Sequence, residues 1–92
     1  MTHDVRRNDA AGRYELVLDG EVVGIADFVM AEDVMVLPHT VIDPDRRGQG
    51  LGDLLVEGVL ADARERGNAV DPRCWFVREY LDRHPDAADV SY

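Results

Sequence analysis

The segment Ile42-Asp43-Pro44-Asp45-Arg46-Arg47-Gly48-Gln49-Gly50-Leu51-Gly52 constrains the fold more than any other part of the chain. An apolar run from Val34 to Ile42 leads into it and an amphipathic run from Leu51 to Arg66 leaves it, the pattern of a strand–loop–helix junction. Gly48, Gly50 and Gly52 stand at alternate positions in the loop. Glycines so placed let backbone N–H groups converge on an anion with no Cβ in the way. The following helix adds its unpaired N–H groups and the positive end of its dipole. Such a junction suits a pyrophosphate. The plainer alternative is a tight strand-to-helix turn that holds no ligand.

Two common phosphate loops are excluded. A Walker loop ends in Gly-Lys-Ser/Thr, and the chain contains no lysine. A dinucleotide fingerprint G-x-G-x-x-G counted from Gly48 would need its third glycine where Asp53 stands. Nineteen acidic residues against ten arginines give a net charge of −9, which repels nucleic acid and argues against a DNA or RNA partner. The same charge opposes a polyphosphate, so its site must be locally basic, and Arg46 and Arg47 sit where that is needed. An acidic remainder favours a cationic acceptor such as an amine or basic peptide, or serves solubility alone.

At 92 residues one domain is expected, spanning 1–92 with its core over about 13–86. No apolar stretch approaches the roughly 20 residues of a membrane span, so no membrane partner is expected. The polar start lacks the apolar core of a secretory signal, and Cys74 is the single cysteine, so a cytoplasmic location is the expectation.

Met1 to Gly12 reads as a frayed polar lead-in with a short strand. Alternation predicts a strand over Arg13 to Asp19, with Tyr14, Leu16 and Leu18 on one face. Asp19-Gly20 is a hairpin signal, and Glu21 to Met30 is the return strand. After a turn at Ala31-Glu32-Asp33, Val34 to Ile42 reads as a central strand covered on both faces. Pro38 within it marks a bulge or the point where pairing stops. The helix from Leu51 places Leu54, Leu55 and Val59 with Leu51 on one face and Asp53, Glu57 and Arg64 on another, and Gly67 caps it. Asn68 to Asp71 reads as a short strand parallel to the third. Pro72 stands where a second helix begins, with Cys74, Val77 and Leu81 apolar and His84-Pro85 as its end. The fold expected is α/β: a small mixed sheet with an N-terminal antiparallel meander, then the loop and helix, a parallel strand and a C-terminal helix.

Two side chains outside the loop are candidates for chemistry. His39 ends the strand before the loop, and Cys74 opens the last helix, so topology gathers both on the edge where such units bind ligands. A thiol at a helix N-terminus gains thiolate character, and an imidazole accepts protons. The alternatives are a small core cysteine and a satisfied rim histidine. His3, His39, His84 and Cys74 show no metal-ligand spacing, so no metal is expected.

The order Arg47-x-x-Gly50-x-Gly52, led in by Ile42-x-Pro44, resembles the acyl-coenzyme A loop of the GNAT N-acetyltransferase superfamily. From about Tyr14 to Pro85 the chain is similar to the short, single-domain GNAT-like proteins. The shared string is His39-Thr40-x-Ile42-x-Pro44-x-x-Arg47-Gly48-x-Gly50-Leu51-Gly52, then Pro72-x-Cys74-x-x-Val77-x-x-Tyr80-Leu81-x-Arg83-His84-Pro85. The resemblance implies acetyl-coenzyme A as cosubstrate, held by Ile42 and by Arg47, Gly48, Gln49, Gly50, Leu51 and Gly52. It implies Cys74 and His39 as a catalytic pair, and a sheet that splays at a bulge to admit the coenzyme arm. The implied activity moves an acetyl group to an unidentified small-molecule or peptide amine, by direct attack or through a thioester on Cys74.

Two departures bear on this. Many relatives carry Glu after the His-Thr pair, where this chain has Val41. The N-terminal helices and last strands that usually wall the acceptor site have no counterpart here, and Tyr80 lies well inside its helix, where aromatic packing explains it. Two other readings therefore stand beside acetyl transfer. One is a non-catalytic coenzyme A-binding protein. The other is a subunit whose partner protein completes the acceptor site.

Overall fold

The computed structural model describes residues 3–91; Met1 and Thr2 of the expected lead-in, and Tyr92, lie outside the described residues. β1 (His3–Asn8), β2 (Arg13–Leu18) and β3 (Glu21–Asp27) form the N-terminal antiparallel meander. Within the expected lead-in, His3 to Asn8 is a paired strand, from His3 opposite Leu18 to Asn8 opposite Arg13. Two of its polar side chains reach across the sheet, Arg6 Nε and Asn8 Nδ2 both donating to the Glu15 carboxylate. Asp19 and Gly20 both take positive φ, 50° and 85°, which gives the hairpin a twist matching its strands.

The expected return strand, Glu21 to Met30, and the expected central strand, Val34 to Ile42, are each broken in two. β4 (Val29–Ala31) follows β3 after Phe28, and β5 (Val34–Leu37) is separated by Pro38 and His39 from β6 (Thr40–Ile42). The pieces belong to different sheets, β1-β2-β3-β6 and β4-β5-β7. The expected central strand is therefore corrected. It is split, and Pro38, His39 and Val41 are exposed while Met35 and Leu37 are buried, so it is not covered on both faces. Pro38 has no N–H to offer a ladder. On the facing strand the Phe28 N–H leaves the pair and donates to the Gly12 carbonyl at 3.0 Å. The Phe28 ring then turns inward against Tyr14, ring centroids 5.4 Å apart, with the Arg7 guanidinium 4.4 Å over it.

α1 (Leu51–Arg66) has the expected bounds. Leu51, Leu55, Val56, Val59, Leu60 and Ala63 are buried, a helical stripe that packs on β1, β2, β3 and β6. Each large apolar side chain removed from water there contributes about 1.5–3 kcal/mol. Gly67 ends the helix at φ 74°, its N–H reaching the Ala63 and Arg64 carbonyls. β7 (Ala69–Pro72) runs parallel to β5, from Val34 opposite Ala69 to Leu37 opposite Pro72. Pro72 closes this strand rather than opening the helix. The Cys74 N–H is drawn to the Leu37 carbonyl at 2.9 Å, which keeps the backbone extended until α2 (Trp75–Arg83) begins. A 3-10 turn, Pro85–Val90, brings Ser91 into a bridge with Val70. No helix among the described residues is long and apolar enough to cross a membrane.

Candidate functional site

The break between β5 and β6 opens a cleft of about 530 Å³ at the N-terminal ends of both helices. Thr40, Val41 and Ile42 of β6, the edge strand of its sheet, form one wall. The loop residues Arg46, Arg47, Gly48 and Gly50 form the floor, with Leu51, Gly52 and Asp53 from the first turn of α1. Cys74, Trp75 and Phe76 at the start of α2 close the far side. Gln49 is exposed in the loop outside this lining.

The three glycines do two different jobs. Gly48 and Gly50 take φ of 84° and 72°, and open space lies where a Cβ would stand. Gly50 is the N-cap of α1 with no side chain bonded to the first turn, so those N–H groups remain available. Gly52 is a helical residue whose added Cβ would meet the Phe76 ring at 2.5 Å. It lets the two helix starts approach.

Charge around the floor is arranged in pairs. Arg46 donates to Glu21 at 3.3 Å. Arg47 is exposed at the lip and makes no ion pair among the described residues. Asp53 would repel an anion at the helix start, but Arg83 grips it with two bonds of 3.0 and 3.1 Å. That guanidinium holds the Asp53 carboxyl below its ordinary range. On the wall, Thr40 Oγ1 is buried and has no hydrogen-bond partner among the described residues. Leaving a buried hydroxyl unmatched costs about 1–3 kcal/mol.

Cys74 caps α2, is 7% exposed and lines the cleft. His39 lies outside the lining, two residues past the Leu37 carbonyl that holds the Cys74 backbone. Its Nε2 is 2.6 Å from Asp27 Oδ2 on β3, and the Asp27 N–H donates to the His39 carbonyl at 3.1 Å. Tyr80 is buried inside α2, stacked on His84 at 4.3 Å, and burial raises its pKa. No cluster of ligating side chains able to hold a metal occurs among the described residues.

Asp27, the Thr40 hydroxyl and Trp75 carry features that the sequence reading did not single out. A signal for Asp27 existed. Counting outward from the turn at Glu32, where Val29 faces Val36, puts Asp27 opposite Pro38. The break adds one residue, since beyond it Ala26 faces Thr40, and the pairing moves to His39.

The family model described as GCN5-related N-acetyl-transferase matches residues 13–90, and the chain belongs to that family. Among solved structures it is similar to the ribosomal-protein-S18-alanine N-acetyltransferase of Escherichia coli, with a TM-score of 0.58 and 29% identity. That match covers 63% of this chain and 38% of the Escherichia coli protein, so the chain spans well under half of that relative's length. It is also similar to a GCN5-like protein of Staphylococcus aureus, with a TM-score of 0.73 over 97% of this chain and 87% of that one. At 18% identity the second likeness concerns the fold. No curated protein matches the chain.

Proposed function

We propose that the protein transfers an acetyl group from acetyl-coenzyme A to an amine. The observation that carries this reading is the cleft itself. An uncapped helix start and two positive-φ glycines lie at one end, and the edge strand β6 forms one wall. Pyrophosphate suits the first feature, because backbone N–H groups and the helix dipole favour an anion there. Arg47 adds an uncommitted charge, Gly48, Leu51 and Gly52 shape the rest of the floor, and Ile42 flanks it from the wall. Gln49 contributes its backbone to the loop. The free edge of β6 suits the amide-bearing arm, which would lead the thioester toward the end of the cleft where Cys74 stands.

Bound there, the coenzyme supplies the activated acyl group. The chain's part is to hold it in line with the acceptor and to take up the amine's proton. His39 is the base of this reading, beyond the Pro38 break. Cys74 offers a covalent variant in which its Sγ accepts the acetyl group and passes it to the amine. The acceptor approaches over the face of the first sheet opposite α1, where Ile25, Asp27, His39 and Val41 stand by alternation.

A screen of metabolites and peptides for acetylation, paired with calorimetry of coenzyme A, tests the reading. Saturable acetylation of an amine supports it. Cys74→Ala with full activity selects direct attack, whereas loss of turnover with coenzyme binding intact selects the thioester route. A second reading, coenzyme binding without turnover, is favoured by one observation. Val41, 45% exposed beside the cleft, has no group to move a proton where relatives carry Glu. Tight coenzyme binding with no acetylated amine would establish it.

A further inference from the structure

We propose that Asp27 is the positioning residue of His39, supplying from β3 the carboxylate that Val41 does not supply from β6. The inference rests on the acetyl-transfer reading above. Asp27 and His39 are tied twice, through the 2.6 Å contact between Oδ2 and Nε2 and through the 3.1 Å backbone bond. The pair continues the register in which Ala26 faces Thr40, so the two side chains are cross-strand neighbours on the face away from α1. Val41 shares that face with His39 and faces Ile25, so no other carboxylate stands beside the imidazole along β6. Arg13 is the cation opposite Asp27 in the β2–β3 register, but its Nε donates to Glu15 Oε2 at 3.0 Å and its Nη2 lies 3.0 Å from the same oxygen. The Asp27 carboxylate is thereby left to the imidazole.

The close contact to Asp27 is made by Nε2. In this proposal Nε2 carries the proton on the Asp27 side, which leaves the lone pair of neutral His39 on Nδ1. As the amine nitrogen bonds the acyl carbon and the carbon–sulfur bond breaks, Nδ1 takes the amine's proton. That proton then passes to the departing sulfur, so the base is regenerated and charge balances. In between, the imidazolium faces a carboxylate rather than the apolar Val41, which stabilises it and holds the ring in one orientation. A register shift of one residue at Pro38 is what makes this possible, since without it Asp27 would face proline.

The test is a double-mutant cycle on the full chain, with acetyl-coenzyme A as donor and n-butylamine as acceptor. Asp27→Asn is expected to lower kcat roughly 10- to 100-fold, part of the 10²–10⁴ that a general base supplies, with KM for acetyl-coenzyme A unchanged. Asp27→Glu should recover part of the loss. In a His39→Ala background, Asp27→Asn should cost nothing further, because both changes act through one ring. Equal activity in Asp27→Asn and the unaltered protein, or losses that multiply in the double variant, overturn the proposal. Long-range ¹H–¹⁵N spectra of the imidazole give a readout free of turnover. The proton should reside on Nε2 in the unaltered protein and redistribute in Asp27→Ala, and an unchanged spectrum overturns the pairing. Absence of any acetyl transfer by the unaltered protein would remove the underlying activity, and this role with it, whatever the spectra show.

Discussion

On the side of β6 that runs into the loop, the features suited to an anion come from one continuous stretch of chain, Ile42 to Asp53, and mostly from its backbone. On the face that turns away from α1, the candidate chemistry is a single carboxylate–imidazole pair joining residues from two strands, beside an apolar Val41. The first region is complete in itself, because N–H groups and glycine conformations need no partner element. The second depends on register and on whatever docks against an open sheet face. A ligand common to many proteins can thus be held by a local segment, while the specific ligand is left to a surface built from distant residues.

The largest effect on the loop region is expected at Gly50. A β-branched residue at φ 72° is strained whatever the space around it, and Gly50 lines the cleft. Gly50→Val should take coenzyme A binding below detection in calorimetry, since it blocks several donors each worth about 1.5–3 kcal/mol toward a charged group. Retained affinity would remove the loop from the site.

Gly52→Ala should instead act on the fold. The methyl would press on the Phe76 ring, and such overpacking costs about 1–3 kcal/mol, read as a lower melting temperature. The affinity of the folded fraction for coenzyme A should hardly move. Lost binding at unchanged stability would assign Gly52 to the anion rather than to the helix contact.

Arg47→Ala should weaken coenzyme binding by at most about 1.5–3 kcal/mol, and the loss should shrink as salt screens an exposed charge. Arg46→Ala should cost less, because Arg46 already serves Glu21. Equal losses would erase the distinction between the free and the committed arginine.

The smallest effect is expected at Asp53. Arg83 depresses its folded pKa, so the pair stabilises the fold above the unfolded carboxylate value, about 3.9, and the benefit is lost as pH falls through the folded value. Arg83→Ala should flatten acid unfolding curves in that window, by a modest amount because both side chains are partly exposed. Identical curves would show that the pair contributes nothing to stability.

The legibility of the sequence follows the same division. The bounds of α1, the Gly67 cap and β7 were readable because each rests on local signals: a helical apolar stripe, a glycine able to take positive φ, and a short run after it. Pro38 announced trouble in its strand but not that the two halves would join different sheets, since the matching departure at Phe28 carries no proline or glycine. The buried Glu15 was equally hidden. Its place depends on Arg13, Arg6 and Asn8 closing over it, and those bonds, Arg13 first, hold its carboxyl below the ordinary range. Asp27 was lost to the one-residue shift. The double role of the glycines was invisible for a related reason, as only the position of Phe76 separates Gly52 from Gly50.

Trp75 stands at the mouth of the cleft, 69% exposed, edge-on to Phe76 at 5.9 Å. It is also the chain's single tryptophan. Every photon emitted by an indole in this protein therefore originates at the entrance to the candidate site. A ligand seated there must change the polarity around that ring or quench it, while folding events elsewhere reach it only through α2. The molecule carries its own optical probe, with no background from other indoles and no label to disturb the cleft.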